Sequence, residues 1–125
     1  MAGARVLIVE DDEVTALVLS EYLEAHGYET SIATTGYDGV ARFLTECPDL
    51  ALVDVLLPKK DGFDVCYAMK SSDHGQHTPV VLMSAVYRDA QGEASTRGVE
   101  ADGFLRKPFD LDELVARVDQ LVKRA

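Results

Sequence analysis

Val6-Leu7-Ile8-Val9-Glu10-Asp11-Asp12-Glu13 sets four aliphatic residues directly before four acids. A continuous apolar run this short reads as a strand buried on both faces, which parallel sheets require and half-exposed antiparallel sheets do not. The acids stop the strand, and Asp12 is placed to cap a helix. In that helix Val14, Leu17, Val18, Tyr22 and Ala25 are expected to form the buried face, with Gly27 as the stop. The same unit recurs along the chain. Residues 28–33 alternate as a second strand. Val40, Phe43, Leu44 and Cys47 then repeat at helical spacing up to Pro48. Leu50-Ala51-Leu52-Val53 is a third strand ending on Asp54, followed by a loop over 55–62 and a short helix through Phe63, Cys66, Tyr67 and Met69. Pro79-Val80-Val81-Leu82-Met83 ends at Ser84-Ala85, and 88–98 is a helix with little apolar face. Residues 102–106 form the fifth strand, ending at Lys107-Pro108. A last helix follows, with Asp110 and Glu113 as a capping-box pair and Leu111, Leu114, Val115, Val118, Leu121 and Val122 along one face. Strict alternation with short connections predicts an α/β fold of three layers, α/β/α. Its five parallel strands take the flavodoxin-like order 2-1-3-4-5, a (βα)5 arrangement.

Composition agrees with one domain. The 125 residues are 47% hydrophobic and 27% charged, which fits a globular core and excludes disorder. Twelve Lys+Arg against twenty-two Asp+Glu give a net charge of −10, a surface that phosphate backbones repel, so no direct nucleic-acid binding is expected. Cys47 and Cys66 lie among apolar neighbours rather than in a disulfide framework, and no signal peptide or membrane-length apolar run occurs. These features predict a cytoplasmic protein with no membrane insertion. His26, His74 and His77 share no metal-ligand spacing with either cysteine.

In the order 2-1-3-4-5, ligands bind beyond the carboxyl ends of the strands, where the first and third are neighbours. Glu10 and Asp11 close the first strand, Asp54 the third, Ser84 the fourth and Lys107 the fifth. Three carboxylates in one crevice repel one another unless a cation intervenes, and Mg²⁺ suits an all-oxygen site of this kind. A hydroxyl and an ammonium beside them suit phosphoryl transfer, in which a carboxylate can itself accept the group.

The residues resemble the receiver domains of bacterial two-component response regulators, the chemotaxis-receiver superfamily. The resemblance runs from Arg5 to Arg124 and rests on Ile8-Val9-Glu10-Asp11-Asp12, Leu52-Val53-Asp54 with Leu57-Pro58 and Asp61-Gly62, Met83-Ser84-Ala85, and Gly103-Phe104-Leu105-Arg106-Lys107-Pro108-Phe109. It implies a single receiver domain over 1–125, with no output domain in this chain, acting as a signalling switch rather than as an enzyme on other molecules. Asp54 would be the phosphoacceptor, supplied by a histidine kinase or phosphotransfer protein. Mg²⁺, or Mn²⁺ in its place, would be held by Asp11, Asp54 and the backbone carbonyl of Leu56, with Glu10 acting through water. Lys107 and Ser84 would bond phosphoryl oxygens, Ala85 would leave room for the group, and the Lys107–Pro108 bond would be cis. Ser84 and Phe104 would form the switch: Ser84 moves toward the phosphoryl group and Phe104 turns inward. That movement changes the face made by the 88–98 helix, the 102–106 strand and the last helix, which would bind a downstream effector or a second copy. The alternative is a receiver-like module that binds proteins independently of phosphorylation.

Two related chemistries fit less well. A flavin phosphate needs donors after the first strand, where Glu10 to Glu13 stand instead. An aspartate-nucleophile phosphatase expects an acid two residues after the nucleophile, and here that residue is Leu56. Leu56 and Val86 are bulky, apolar and unable to activate water, which predicts a long-lived phosphoryl state.

Overall fold

The computed structural model describes residues 3–124; Met1, Ala2 and Ala125 of the expected domain lie outside them. Strand β1 (Arg5–Val9) leads into α1 (Glu13–Ala25), β2 (Glu29–Ala33) into α2 (Gly36–Glu46), and β3 (Leu50–Asp54) into α3 (Gly62–Lys70). A 3₁₀ turn (His74–Gln76), β4 (Val80–Ser84), α4 (Ala90–Thr96), β5 (Gly103–Arg106) and α5 (Leu111–Arg124) complete the chain. The sheet has the order β2-β1-β3-β4-β5 and every pairing is parallel. Among the described residues no helix is long and apolar enough to cross a membrane.

Strand periodicity divides the core into two layers. Leu7, Val9, Ala51, Val53, Val80 and Leu82 point to one side, where Phe43 of α2, Phe63 and Met69 of α3 and Ala94 of α4 cover them. Val6, Ile8, Leu50, Leu52, Val81 and Met83 point to the other, beneath Leu19 and Leu23 of α1 and Leu114 and Val118 of α5. Because alternate residues feed different layers, each central strand must be apolar throughout, as the sequence runs indicate. Each fully buried Leu or Ile contributes about 1.5–3 kcal/mol over its exposed state. Tyrosine hydroxyls fasten α5: Tyr22 of α1 donates to Asp112, and Tyr28, just before β2, donates to Asp119.

The expected face of α5 is the buried one, as are Phe63, Cys66 and Met69 of α3 and Phe43 of α2 with partly buried Val40, whereas other helix positions differ from expectation. In α1 the buried stripe is Ala16, Leu19, Ser20 and Leu23, whereas Val14, Leu17 and Val18 are 71%, 53% and 45% exposed. Ser20 disguises the stripe; it is buried because its hydroxyl shares a 2.6 Å hydrogen bond with Thr30 Oγ1. In α2 the buried stripe is Gly36, Gly39 and Phe43, while Leu44 and Cys47 are exposed. A Cβ at Gly39 would stand 2.8 Å from a Val9 methyl, so the missing side chain is what lets α2 approach β1. Tyr67 of α3 is likewise exposed, its place in the core taken by Val65. Close-packed faces use small residues, and small residues are invisible to apolar periodicity.

Helix ends follow the sequence more closely. Asp12 accepts from the Thr15 N–H at the start of α1. At its end the Tyr28 N–H bonds to the Leu23 carbonyl and the Gly27 N–H to that of Glu24, with Gly27 at φ 93°. At α5 Asp110 caps by accepting the Asp112 N–H, and among the described residues neither bond of the expected capping box with Glu113 forms. Both cysteines are free, Cys66 buried and Cys47 exposed, and His74 braces the turn it occupies by bonding the Pro48 carbonyl and Thr78.

Candidate phosphoacceptor site

Four strand ends meet at one edge of the sheet. Glu10 follows β1 and is fixed by its N–H bond to the Ala33 carbonyl, 3.0 Å away. Asp54 ends β3, with the next N–H bonded to the Met83 carbonyl at 2.8 Å. Lys107 follows β5, its N–H 2.8 Å from the Ser84 carbonyl. The sheet's own ladder therefore aims these side chains into a single crevice of about 410 Å³, rimmed by Leu56, Leu57, Pro58 and Ala85.

Glu10 and Asp54 are buried, at 1% and 6% exposure, while Asp11 is exposed at the crevice mouth. Ligand oxygens of the three carboxylates lie within 4.8 Å of one another. Lys107 Nζ stands 2.5 Å from Glu10 Oε1 and 3.4 Å from Asp54 Oδ1, so one ammonium is shared by two buried carboxyl groups with a third, Asp11, near them. Burial, and after it the Glu10 carboxylate, pushes Asp54 up to about 6 against the pull of Lys107. Burial opposes the Lys107 charge, yet its bonds to Glu10 and Asp54 hold its pKa above the ordinary value. The carboxyl groups thus retain an uncompensated excess of negative charge. A hard divalent cation fits it: the donors are all oxygen, two are fixed by the fold, and the third faces solvent where water ligands can enter.

The loop behind Asp54 is held by close backbone approach. A Cβ on Gly62 would lie 2.2 Å from the Asp54 carbonyl oxygen and 2.6 Å from Val55 Cα, so only glycine fits. The Gly62 N–H bonds to the Val55 carbonyl at 2.8 Å, and Asp61 caps α3 through the Asp64 N–H. The Lys107–Pro108 peptide is cis.

Of the residues singled out in the sequence, Glu10, Asp11, Asp54, Leu56 and Lys107 come together in the crevice. Ser84 does not join its walls. It is 1% exposed, and its hydroxyl accepts the Tyr87 N–H at 3.0 Å, turned back toward its own loop. Phe104 is half-buried on β5 opposite Leu82, packed against the layer that holds α3 and α4. Leu56 and Val86 are 63% and 55% exposed, a bare apolar rim. Sequence reading missed Tyr87 and Arg97, which link the Ser84 loop to α3; no local pattern joins Arg97 to Asp61, thirty-six residues away.

Comparison with known proteins places this edge chemistry. The family model "Response regulator receiver domain" matches residues 6–119. The DNA-binding dual master transcriptional regulator RpaA of Synechocystis is 36% identical over 122 residues, covering 96% of this chain and 49% of that protein. Response regulator PleD of Caulobacter vibrioides is 39% identical over 123 residues, covering 97% of this chain and 26% of that protein. The chain thus spans half or less of these relatives' lengths. Among solved structures, the receiver domain of sensor histidine kinase PA1611 from Pseudomonas aeruginosa superposes with a TM-score of 0.87 at 25% identity, covering 98% of this chain and 99% of that one. It has a magnesium ion coordinated in its active site cleft. With a family match across nearly its whole length, the parallel five-stranded sheet and the acidic crevice at its carboxyl edge, the chain belongs to the response regulator receiver domains.

Proposed function

We propose that residues 1–125 act as one phosphorylation-controlled switch in which Asp54 accepts a phosphoryl group from the phosphohistidine of a histidine kinase or phosphotransfer protein. One observation carries the reading: Glu10, Asp11 and Asp54 converge to within 4.8 Å of one another, with Lys107 3.4 Å from the acceptor oxygen. An Asp54 carboxylate oxygen forms the new O–P bond while the donor's N–P bond breaks, and the imidazole leaves with that electron pair. Asp11, Asp54 and the Leu56 carbonyl would hold Mg²⁺ or Mn²⁺, with Glu10 acting through water. When bound, the cation neutralises charge that builds on the phosphoryl oxygens. Lys107 pairs with one of those oxygens, Ala85 leaves space for the group, and Ser84 bonds another oxygen after leaving the Tyr87 N–H. Phe104 shares a side of the sheet with Ser84, so the rearrangement reaches the α4-β5-α5 face, where a downstream protein or a second copy binds.

The phosphodonor docks beside α1. An open groove of about 450 Å³ runs from the crevice along Val14 and Val18 to Phe109 and Leu111, and Ala85 and Lys107 line both. The apolar face of α1 that the core does not use borders the reacting carboxylate, and a helix carrying a phosphohistidine can cover both at once. The free thiol of exposed Cys47 suits a reducing cytoplasm.

Incubation with acetyl phosphate and Mg²⁺, followed by intact-mass measurement, tests the reading. One added phosphoryl group, absent with EDTA and in Asp54→Ala, is the expected result. No adduct, together with no binding of beryllofluoride, would support the phosphorylation-independent module instead.

A further inference from the structure

Ser84 lies outside the crevice wall with its hydroxyl turned toward the Tyr87 N–H, so its O–H reaches a phosphoryl group only by swinging away from that loop, and whatever holds Tyr87 in place opposes the swing. Tyr87 is held at three points. Its N–H is bound to Ser84, its ring packs edge-on against Phe63 with centroids 5.4 Å apart, and its hydroxyl accepts from Arg97 Nη2 at 3.2 Å. Arg97 is itself clamped. Nη1 donates to Asp61 Oδ2 and Nε to Glu93 Oε2, both at 2.9 Å, and the guanidinium lies 4.5 Å over the Phe63 ring. Asp61 precedes Gly62, the residue pressed against the Asp54 carbonyl. Helix α4 has little else to hold it: it is seven residues long and Ala94 is its only buried residue.

We propose that Arg97 is a positioning residue that latches α4 and Tyr87 to the α3 cap at Asp61, and that this latch stabilises the resting arrangement of Ser84. The inference rests on the phosphoacceptor reading above. Since any ligand that favours the rearranged state must break the latch, weakening the latch must by reciprocity tighten that ligand. The size follows from the exposure of the pair, 34% for Arg97 and 39% for Asp61. An ion pair this open shifts an equilibrium by about two- to fivefold.

Two variants separate the latch from the fold. Arg97→Met keeps an aliphatic stem over Phe63 and removes the charge. Asp61→Asn keeps a good helix cap and removes the ion pair. Beryllofluoride with Mg²⁺ serves as the phosphoryl mimic, titrated calorimetrically into wild type, each variant and the double variant. Each single variant is expected to bind beryllofluoride about two- to fivefold tighter. The double variant is expected to bind no tighter than the better single, because both remove one interaction. The affinity for Mg²⁺ alone should not move, and amide exchange at Tyr87 in the ligand-free protein should quicken. Unchanged beryllofluoride affinity in both variants, or a fall that tracks a fall in Mg²⁺ affinity, overturns the latch. Fully additive gains in the double variant also overturn it. A wild-type protein that binds no beryllofluoride refutes the phosphoacceptor reading and, with it, the coupling.

Discussion

Replacing Asp54 by Asn should make the protein more stable in the absence of metal. The Asp54 carboxyl titrates near 6 in the fold because burial and Glu10 disfavour its charge, whereas an unfolded chain leaves it near the ordinary 3.8. The folded state therefore holds more protons than the unfolded state between those values, and stability falls as pH rises through that window. At pH 7 ionised Asp54 costs about 3 kcal/mol relative to a neutral group of the same shape. Asn supplies that shape without the charge. In EDTA at pH 7, Asp54→Asn should thus gain on the order of 10 °C in Tm. Near pH 4, where the native carboxyl is protonated, the advantage should shrink to under about 1 kcal/mol. Mg²⁺ should reverse the ranking: at a hundredfold excess over Kd it stabilises wild type by about 2.7 kcal/mol, and it should bind Asp54→Asn much more weakly. Urea denaturation at pH 4 and pH 7, with EDTA and with Mg²⁺, measures all of these differences. A variant no more stable than wild type in EDTA at pH 7, or one whose advantage is the same at pH 4, would refute the claim that the site stores electrostatic strain for a cation.

Other groups yield separate expectations. Leu56→Asn places a polar group on the 63% exposed rim beside Asp54, and loss of the phosphoryl group should quicken severalfold in a mass-spectrometric time course; an unchanged decay rate would show that the apolar rim does not protect the adduct. Gly62→Ala drives a methyl to 2.2 Å from the Asp54 carbonyl, so a loss of about 2–4 kcal/mol in urea midpoints and weaker Mg²⁺ binding are both expected. Lys107→Met removes the one ammonium facing Glu10 and Asp54, leaving buried negative charge unpaired. Phosphorylation by acetyl phosphate should then slow by at least about tenfold while Asp54 titrates higher still, a shift that NMR of the carboxyl carbon can follow.

What the sequence conveyed, and what it withheld, follows one physical division. Backbone-level features were legible because they depend on short-range pattern: continuous apolar runs for strands buried on both faces, Asp12 and Asp110 at the starts of α1 and α5, and Gly27 at a left-handed stop. Once the strand order is known, the carboxyl edge is known, and Glu10, Asp11, Asp54 and Lys107 meet there because parallel pairing leaves them nowhere else to go. Helix phase was legible where an unbroken apolar stripe marks it, as along Leu114, Val115 and Val118 of α5. In α1 the small Ala16 and Ser20 break the buried stripe, so counting apolar residues chose Val14, Leu17 and Val18 over Leu19 and Leu23; in α2 it found Val40 and Phe43 but missed Gly36 and Gly39, which are buried because they are small. That error has a functional side. Val14 and Val18, which looked like core, are an exposed apolar wall beside the crevice, the second of two apolar stripes on a helix that has one core to fill. The resting position of Ser84 was illegible for a different reason. Its hydroxyl is directed by the Tyr87 N–H, and Tyr87 is held by Arg97 and Asp61, residues brought together only by the finished fold. Among the crevice's neighbours Ser84 is therefore the one whose direction is set from outside the strand ends. Tyr87 and Arg97 lie outside every motif by which the site was found, and Asp61 stands in one without any sign of the arginine it bonds.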